Sequence, residues 1–178
     1  MTTLVSPEQF VKVFREVAGR EESDLYKLWW SSNKKYTDKF LAPHAGVMAE
    51  VAGLLDLEYR REKVRMDAML YKPVNGVRAV LVAVEHENAA ETAKDEAWRL
   101  SLLNVPLKVL FTYPEHGEEA LLLGEYARVL SDANVFGQFD GLRRQLVIFG
   151  FADESDRTID WRSYLHSDKG FVSLEATP

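Results

Sequence analysis

Val80-Leu81-Val82-Ala83-Val84 is apolar at every position, so a strand built from it buries both faces and needs packed elements on each side. That requirement makes a mixed sheet flanked by helices, an α/β fold, the expected architecture. The run then ends in Glu85-His86-Glu87-Asn88, and nothing about building a core requires carboxylates at that place.

The rest of the chain supplies the flanking elements. Ser6-Pro7-Glu8-Gln9 starts a helix, with Ser6 as N-cap and Gln9 placed for a capping box. Phe10, Val11, Val13, Phe14 and Val17 form its apolar stripe, and Gly19 is the expected stop. A second short helix is expected from Ser23, carrying Leu25, Leu28, Trp29 and Trp30. The tryptophans, Trp98 included, read as core residues. The polar segment 33–39 leads into a helix over 42–55 whose Val47, Val51, Leu54 and Leu55 face inward, with Glu50 on or beside that face.

From Leu57 the period becomes two, giving one strand over 58–71 with Arg61, Lys63, Arg65 and Asp67 on a shared parity. The turn signal in Lys72-Pro73-Val74-Asn75-Gly76-Val77 folds the next strand, 78–87, back antiparallel. A helix over 89–103, anchored by Ala93, Ala97 and Leu100, and a strand over 107–113 suggest a crossover and parallel pairing. A helix over 118–133 and a strand over 145–151 follow. Beyond that, only Trp161, Tyr164, Phe171 and Leu174 stand out as packing anchors.

Composition narrows the function classes. At 178 residues and 47% hydrophobic content the chain suits one domain. A net charge of -6 weakens a reading in which bulk charge coats nucleic acid, while leaving room for a local basic surface. The absence of cysteine rules out disulfides, thiolate zinc sites and cysteine nucleophiles. No signal peptide or membrane-length apolar run is present in the sequence, so a cytoplasmic protein without a membrane partner is expected. No Gly-rich phosphate loop or nucleophile elbow occurs.

Strand alternation puts Glu85 and Glu87 on one face, about 6 to 7 Å apart. With Asp67 on the neighbouring strand they concentrate negative charge that a divalent cation would neutralise, and oxygen-only donors favour Mg2+ or Mn2+. The backbone carbonyl of His86 adds a possible fourth oxygen, while its side chain points to the opposite face. Such a site supports metal-assisted hydrolysis of a phosphoester. Arg61, Lys63 and Arg65, helped by Lys34, Lys35, Lys39 or Arg143-Arg144, would carry the phosphate backbone.

These residues resemble the PD-(D/E)XK nuclease superfamily, the restriction-endonuclease-like fold. Met66-Asp67 stands at its Pro-Asp position, Glu85-His86-Glu87 at its Glu-X-Lys position, and Glu50 resembles the acid supplied by the preceding helix. The resemblance covers roughly residues 42–113. It implies a single domain over 1–178: an N-terminal helical region (1–41), a nuclease-like core (42–151) and a C-terminal extension (152–178). Asp67 and Glu85 would ligate Mg2+ or Mn2+, and Glu87 would be a ligand or water-positioning base.

Glu87 departs from the superfamily lysine, exchanging an ammonium donor for a carboxylate, and Lys94 on the following helix would be the replacement cation. On this resemblance the expected partner is nucleic acid, DNA ahead of RNA, and a homodimer is compatible with it. The superfamily core runs helix, three-stranded meander, helix, strand. With 58–71 read as one strand, the third strand here follows the helix instead of completing the meander.

Overall fold

A computed structural model describes residues 4–63, 66–134 and 144–174. The elements run α1 (Pro7–Trp29), α2 (Asn33–Leu41), α3 (Val47–Leu54), β1 (Glu58–Lys63), β2 (Met66–Val74), β3 (Val77–Glu87), α4 (Ala93–Ser101), β4 (Leu107–Thr112), α5 (Glu119–Ala133), β5 (Arg144–Asp153), β6 (Thr158–Ser167) and β7 (Gly170–Ser173). Among the described residues, seven strands form one mixed sheet in sequential order. The β3–β4 and β4–β5 pairs are parallel and the remaining pairs antiparallel. The α/β expectation is met, with helices on both faces of the sheet.

One face carries α1, α2 and α3. Phe14 lies 4.8 Å from Phe111 of β4 and 4.9 Å from Trp161 of β6, ring centre to ring centre. Val82 and Val84 of β3 and Ala68 and Leu70 of β2 share this core. The opposite face packs Ala93, Ala97 and Leu100 of α4 and Leu122 and Tyr126 of α5 over Ala83, Leu110, Val147 and Phe149. Successive residues of β3 therefore feed two different cores, the physical reason its sequence is apolar without alternation. No helix among the described residues is long and apolar enough to cross a membrane.

Several boundaries differ from the sequence reading. Ser6 caps α1 through its side chain, accepting from the Gln9 amide at 3.1 Å, but Gly19 does not stop the helix, which continues to Trp29. Leu25 falls on the same buried stripe as Phe14, Val17 and Ala18, and burying it outweighs the roughly 1 kcal/mol that a helical glycine costs. Residues 33–41 are a helix in their own right, because the Ser32 side chain caps it and Tyr36, Phe40 and Leu41 fill the core. Trp30 and Trp98 are exposed at the surface instead of buried.

The larger correction concerns 58–71. This stretch is two strands, not one, since β1 ends at Lys63 and pairs antiparallel with β2, Arg61 opposite Ala68 and Lys63 opposite Met66. A three-stranded meander, β1-β2-β3, therefore precedes α4. The fourteen residues 58–71 at period two hold no turn residue to mark the reversal, whereas the β2–β3 hairpin is announced by Asn75 and Gly76 at φ of 50° and 78°. Gly76→Ala is expected to cost about 1 kcal/mol, read as a lower midpoint in urea unfolding, because an L side chain is disfavoured at that φ. At the C-terminal end, β6 and β7 extend the same sheet beyond β5.

Candidate functional site

The acids meet at the carboxyl end of β3. Ala68 pairs with Val84, and one further step of the register sets Asp67 against Glu85. Both belong to the parity opposite Ala68 and Val84, so they face the α4 side of the sheet. The Asp67 amide donates to Glu85 Oε2 at 3.3 Å, and the His86 amide donates to Asp67 Oδ2 at 2.9 Å. These two bonds lock the carboxylates together across the antiparallel pair.

Glu85 is only 3% exposed, and its Oε1 is buried without a hydrogen-bond partner. Burial, and then the charge of Asp67 beside it, push its carboxyl up to about 8, while the Arg99 guanidinium acts in the opposite direction. At neutral pH the pair therefore retains a proton, as two crowded carboxylates with little solvent must. An unpartnered buried oxygen on such a group costs on the order of 1–3 kcal/mol.

The other expected site residues divide. Glu87 sits on the same strand end, but its Oε1 accepts the Ala89 amide at 2.9 Å and closes the turn that follows β3. That turn is tied down again by Tyr126, whose hydroxyl donates to the Ala90 carbonyl. Glu50 is not brought to the acids: α3 packs on the opposite face, and the Glu50 carboxylate lies 3.9 Å from Arg20. Lys94 is exposed near the start of α4.

The His86 side chain is buried on the α2 face, 4.5 Å from the Phe40 ring centre, with Nε2 at 2.6 Å from the Tyr113 hydroxyl. Burial holds its imidazole down to about 3, so it stays neutral. The backbone of His86, not its ring, meets the acids, through the amide that donates to Asp67.

The basic surface is also redistributed. Because the chain reverses between β1 and β2, Arg61 shares a face with Ala68, not with Asp67, and pairs with Asp38 of α2 at 3.1 Å. Lys39 pairs with Glu21, and Lys34 and Lys35 are exposed. Arg65 and Arg143, together with the Lys63 side chain, lie outside the described residues. Arg60, opposite Met69, takes the parity of Asp67.

Sequence reasoning passed over Glu96 and Arg99. Both lie on α4 beside the buried stripe Ala93, Ala97, Leu100, they contact each other, and Arg99 is close enough to bear on Glu85. The signal was present: Glu96 is three residues from Ala93 and four from Leu100, so helical spacing puts it at the margin of the packed face. Arg99, not Lys94, is the cation that α4 brings toward the acids.

Among the described residues no group of three or more His, Cys, Asp or Glu is arranged to hold a metal ion. The oxygens that could hold a hard cation are fewer than such a group. They are the paired carboxyls of Asp67 and Glu85, with the unpartnered Oε1 of Glu85 among them. Comparison with protein-family models gave no match, and comparison with curated proteins gave none.

Proposed function

We propose that the chain is a divalent-cation-dependent phosphodiesterase acting on nucleic acid, built on a restriction-endonuclease-like core. The observation that carries this reading is the Asp67–Glu85 pair: two carboxylates held in register at the carboxyl end of a central strand, one of them buried with an open oxygen. Acids that serve solubility are placed in water, and a buried acid that must keep a proton at neutral pH is one the fold retains at a cost. The element order α3-β1-β2-β3-α4-β4 supports the fold part of the proposal, since it supplies the helix, meander, helix and strand of that core.

Asp67 and Glu85 would hold Mg2+ or Mn2+, which when bound supplies charge neutralisation at a phosphoryl oxygen and a more acidic water. The chain's own residues do the rest. The His86 amide fixes the rotamer of Asp67, and the Asp67 amide fixes that of Glu85. Arg99 offers a guanidinium suited to a phosphate oxygen from the α4 side, and its contact with Glu96 sets its direction. Incubating the purified protein with single-stranded and duplex DNA and with RNA in Mn2+, against an EDTA control, is the direct test. Cleavage that EDTA abolishes is the expected result, and none on any substrate would end the proposal.

A second reading is supported by Glu87. Its carboxylate is used to close a turn, and it stands where the resembled family has lysine, as in a descendant of the same fold that binds nucleic acid or protein without cleaving. Metal-dependent turnover lost on changing Asp67 would eliminate it.

A further inference from the structure

On the other face of the same strand end lies a cavity of about 200 Å3 lined by Trp29, Asn33, Tyr36, Asn88 and Tyr113. The geometry points to this cavity as a binding site for a single nucleobase. The choice of occupant rests on the phosphodiesterase reading, but the cavity's chemistry is independent of the acids.

Its walls are three aromatic rings set nearly at right angles. Trp29 meets Tyr113 at 4.9 Å and 89°, Trp29 meets Tyr36 at 5.6 Å and 86°, and Tyr36 meets Tyr113 at 5.4 Å and 90°. Tyr36 is 3% exposed, and its hydroxyl lies against that of Tyr113. At the rim stand two carboxamides. Asn88 donates one N–H to Thr37 Oγ1 at 3.0 Å, and its amide still carries a second N–H and a carbonyl oxygen. Among the described residues, no charged side chain lines the space. A free phosphate or carboxylate has no partner there, whereas a neutral planar ring with donors and acceptors on its edge finds both a stacking face and carboxamides. The volume is below the roughly 300–1,000 Å3 of pockets for drug-sized ligands and suits a single small ring system.

Position supports the same occupant. Asn88 directly follows β3 and Tyr113 directly follows β4, two parallel strands, so the cavity opens in the crevice outside the carboxyl ends of the strands, where α/β sheets take their ligands. Glu85 and Asn88 are three residues apart, roughly 10 Å of extended chain. A strand with a phosphate at Asp67 and Glu85 could therefore place an unstacked base in the cavity beside these rings, as enzymes that extrude a base do. Trp29 packs against the core, as its place beside a helical stripe suggests, and also forms one wall of the cavity.

The test is equilibrium binding in EDTA, so that cleavage plays no part. The protein is titrated with AMP, GMP, CMP, UMP and ribose 5-phosphate, and with a short single-stranded oligonucleotide, following tryptophan fluorescence. Saturable quenching by the mononucleotides but not by ribose 5-phosphate is expected, weakened about tenfold in Asn33→Ala and in Asn88→Ala. Asn33 is exposed at the start of α2, so its variant keeps the test valid if losing the Thr37 bond unsettles Asn88→Ala. An oligonucleotide binding far more tightly than the mononucleotides identifies an extruded base as the occupant, and equal affinity identifies a free nucleotide; both support the site. Quenching by ribose 5-phosphate equal to that by the nucleotides, or unchanged affinity in Asn33→Ala, overturns it. Mn2+-dependent cleavage without saturable nucleotide binding sinks the cavity proposal alone, and binding without cleavage sinks the phosphodiesterase reading alone.

Discussion

In Mn2+, Asp67→Asn and Glu85→Gln are each expected to lose on the order of 10²–10³-fold in phosphodiester cleavage, the scale set by several kcal/mol of transition-state charge stabilisation. Each change preserves the size and shape of the side chain and removes one of the two carboxylates that would neutralise the cation. Arg99→Ala should fall between these variants and wild type, since a guanidinium placed on the phosphate can be replaced in part by solvent cations. Lys94→Ala should stay within about twofold of wild type, because Lys94 is exposed and α4 turns Arg99, not Lys94, toward Glu85. The measurement is initial rate on a labelled oligonucleotide, normalised to folded protein. Equal rates in Asp67→Asn and wild type would place the activity at another site or in a contaminant, whatever the metal dependence.

What was legible in the sequence follows what each element had to satisfy. β3 was readable because burial on two faces leaves an unmistakable apolar run, and its hairpin was readable because positive φ selects Asn-Gly. The β1–β2 reversal was not, since alternating Arg, Glu, Lys and Met satisfies two half-exposed strands as well as one. That single error misassigned Arg61, whose parity with Asp67 does not survive a reversal of the chain. The paired acids were found because the conjunction of a buried run and carboxylates is rare. Arg99 and Glu96 were not, because charged residues at the margin of a helix stripe look the same whether the helix covers a site or plain surface. β6 and β7 escaped notice because they are half-exposed, so no continuous apolar run marks them.

The same buried carboxyl makes a prediction that needs no substrate. Glu85 holds its proton to about 8 in the folded chain, against an ordinary value of 4.5. The folded state therefore binds more protons than the unfolded state between those two values, and stability must fall as pH rises through that window. Below about pH 4.5 Glu85 is protonated in both states and contributes no slope; above about pH 8 it is ionised in both and the loss is complete.

Glutamine reproduces the shape of the protonated acid and can donate to Asp67, but it cannot ionise. Glu85→Gln should accordingly match wild type near pH 5 and become more stable by about 2–4 kcal/mol at pH 8.5, a figure set below the full shift because a carboxylate can recruit water as it charges. Urea unfolding midpoints from pH 5 to 9 measure the difference directly, and parallel curves for the two proteins would mean that Glu85 titrates like a surface acid. Adding Mn2+ at pH 8.5 should raise the wild-type midpoint and leave that of Glu85→Gln nearly unmoved, since only a folded site with an ionised Glu85 rewards cation binding. A variant gaining stability while losing both the metal response and cleavage would mean that this carboxylate is kept for chemistry at the expense of the fold.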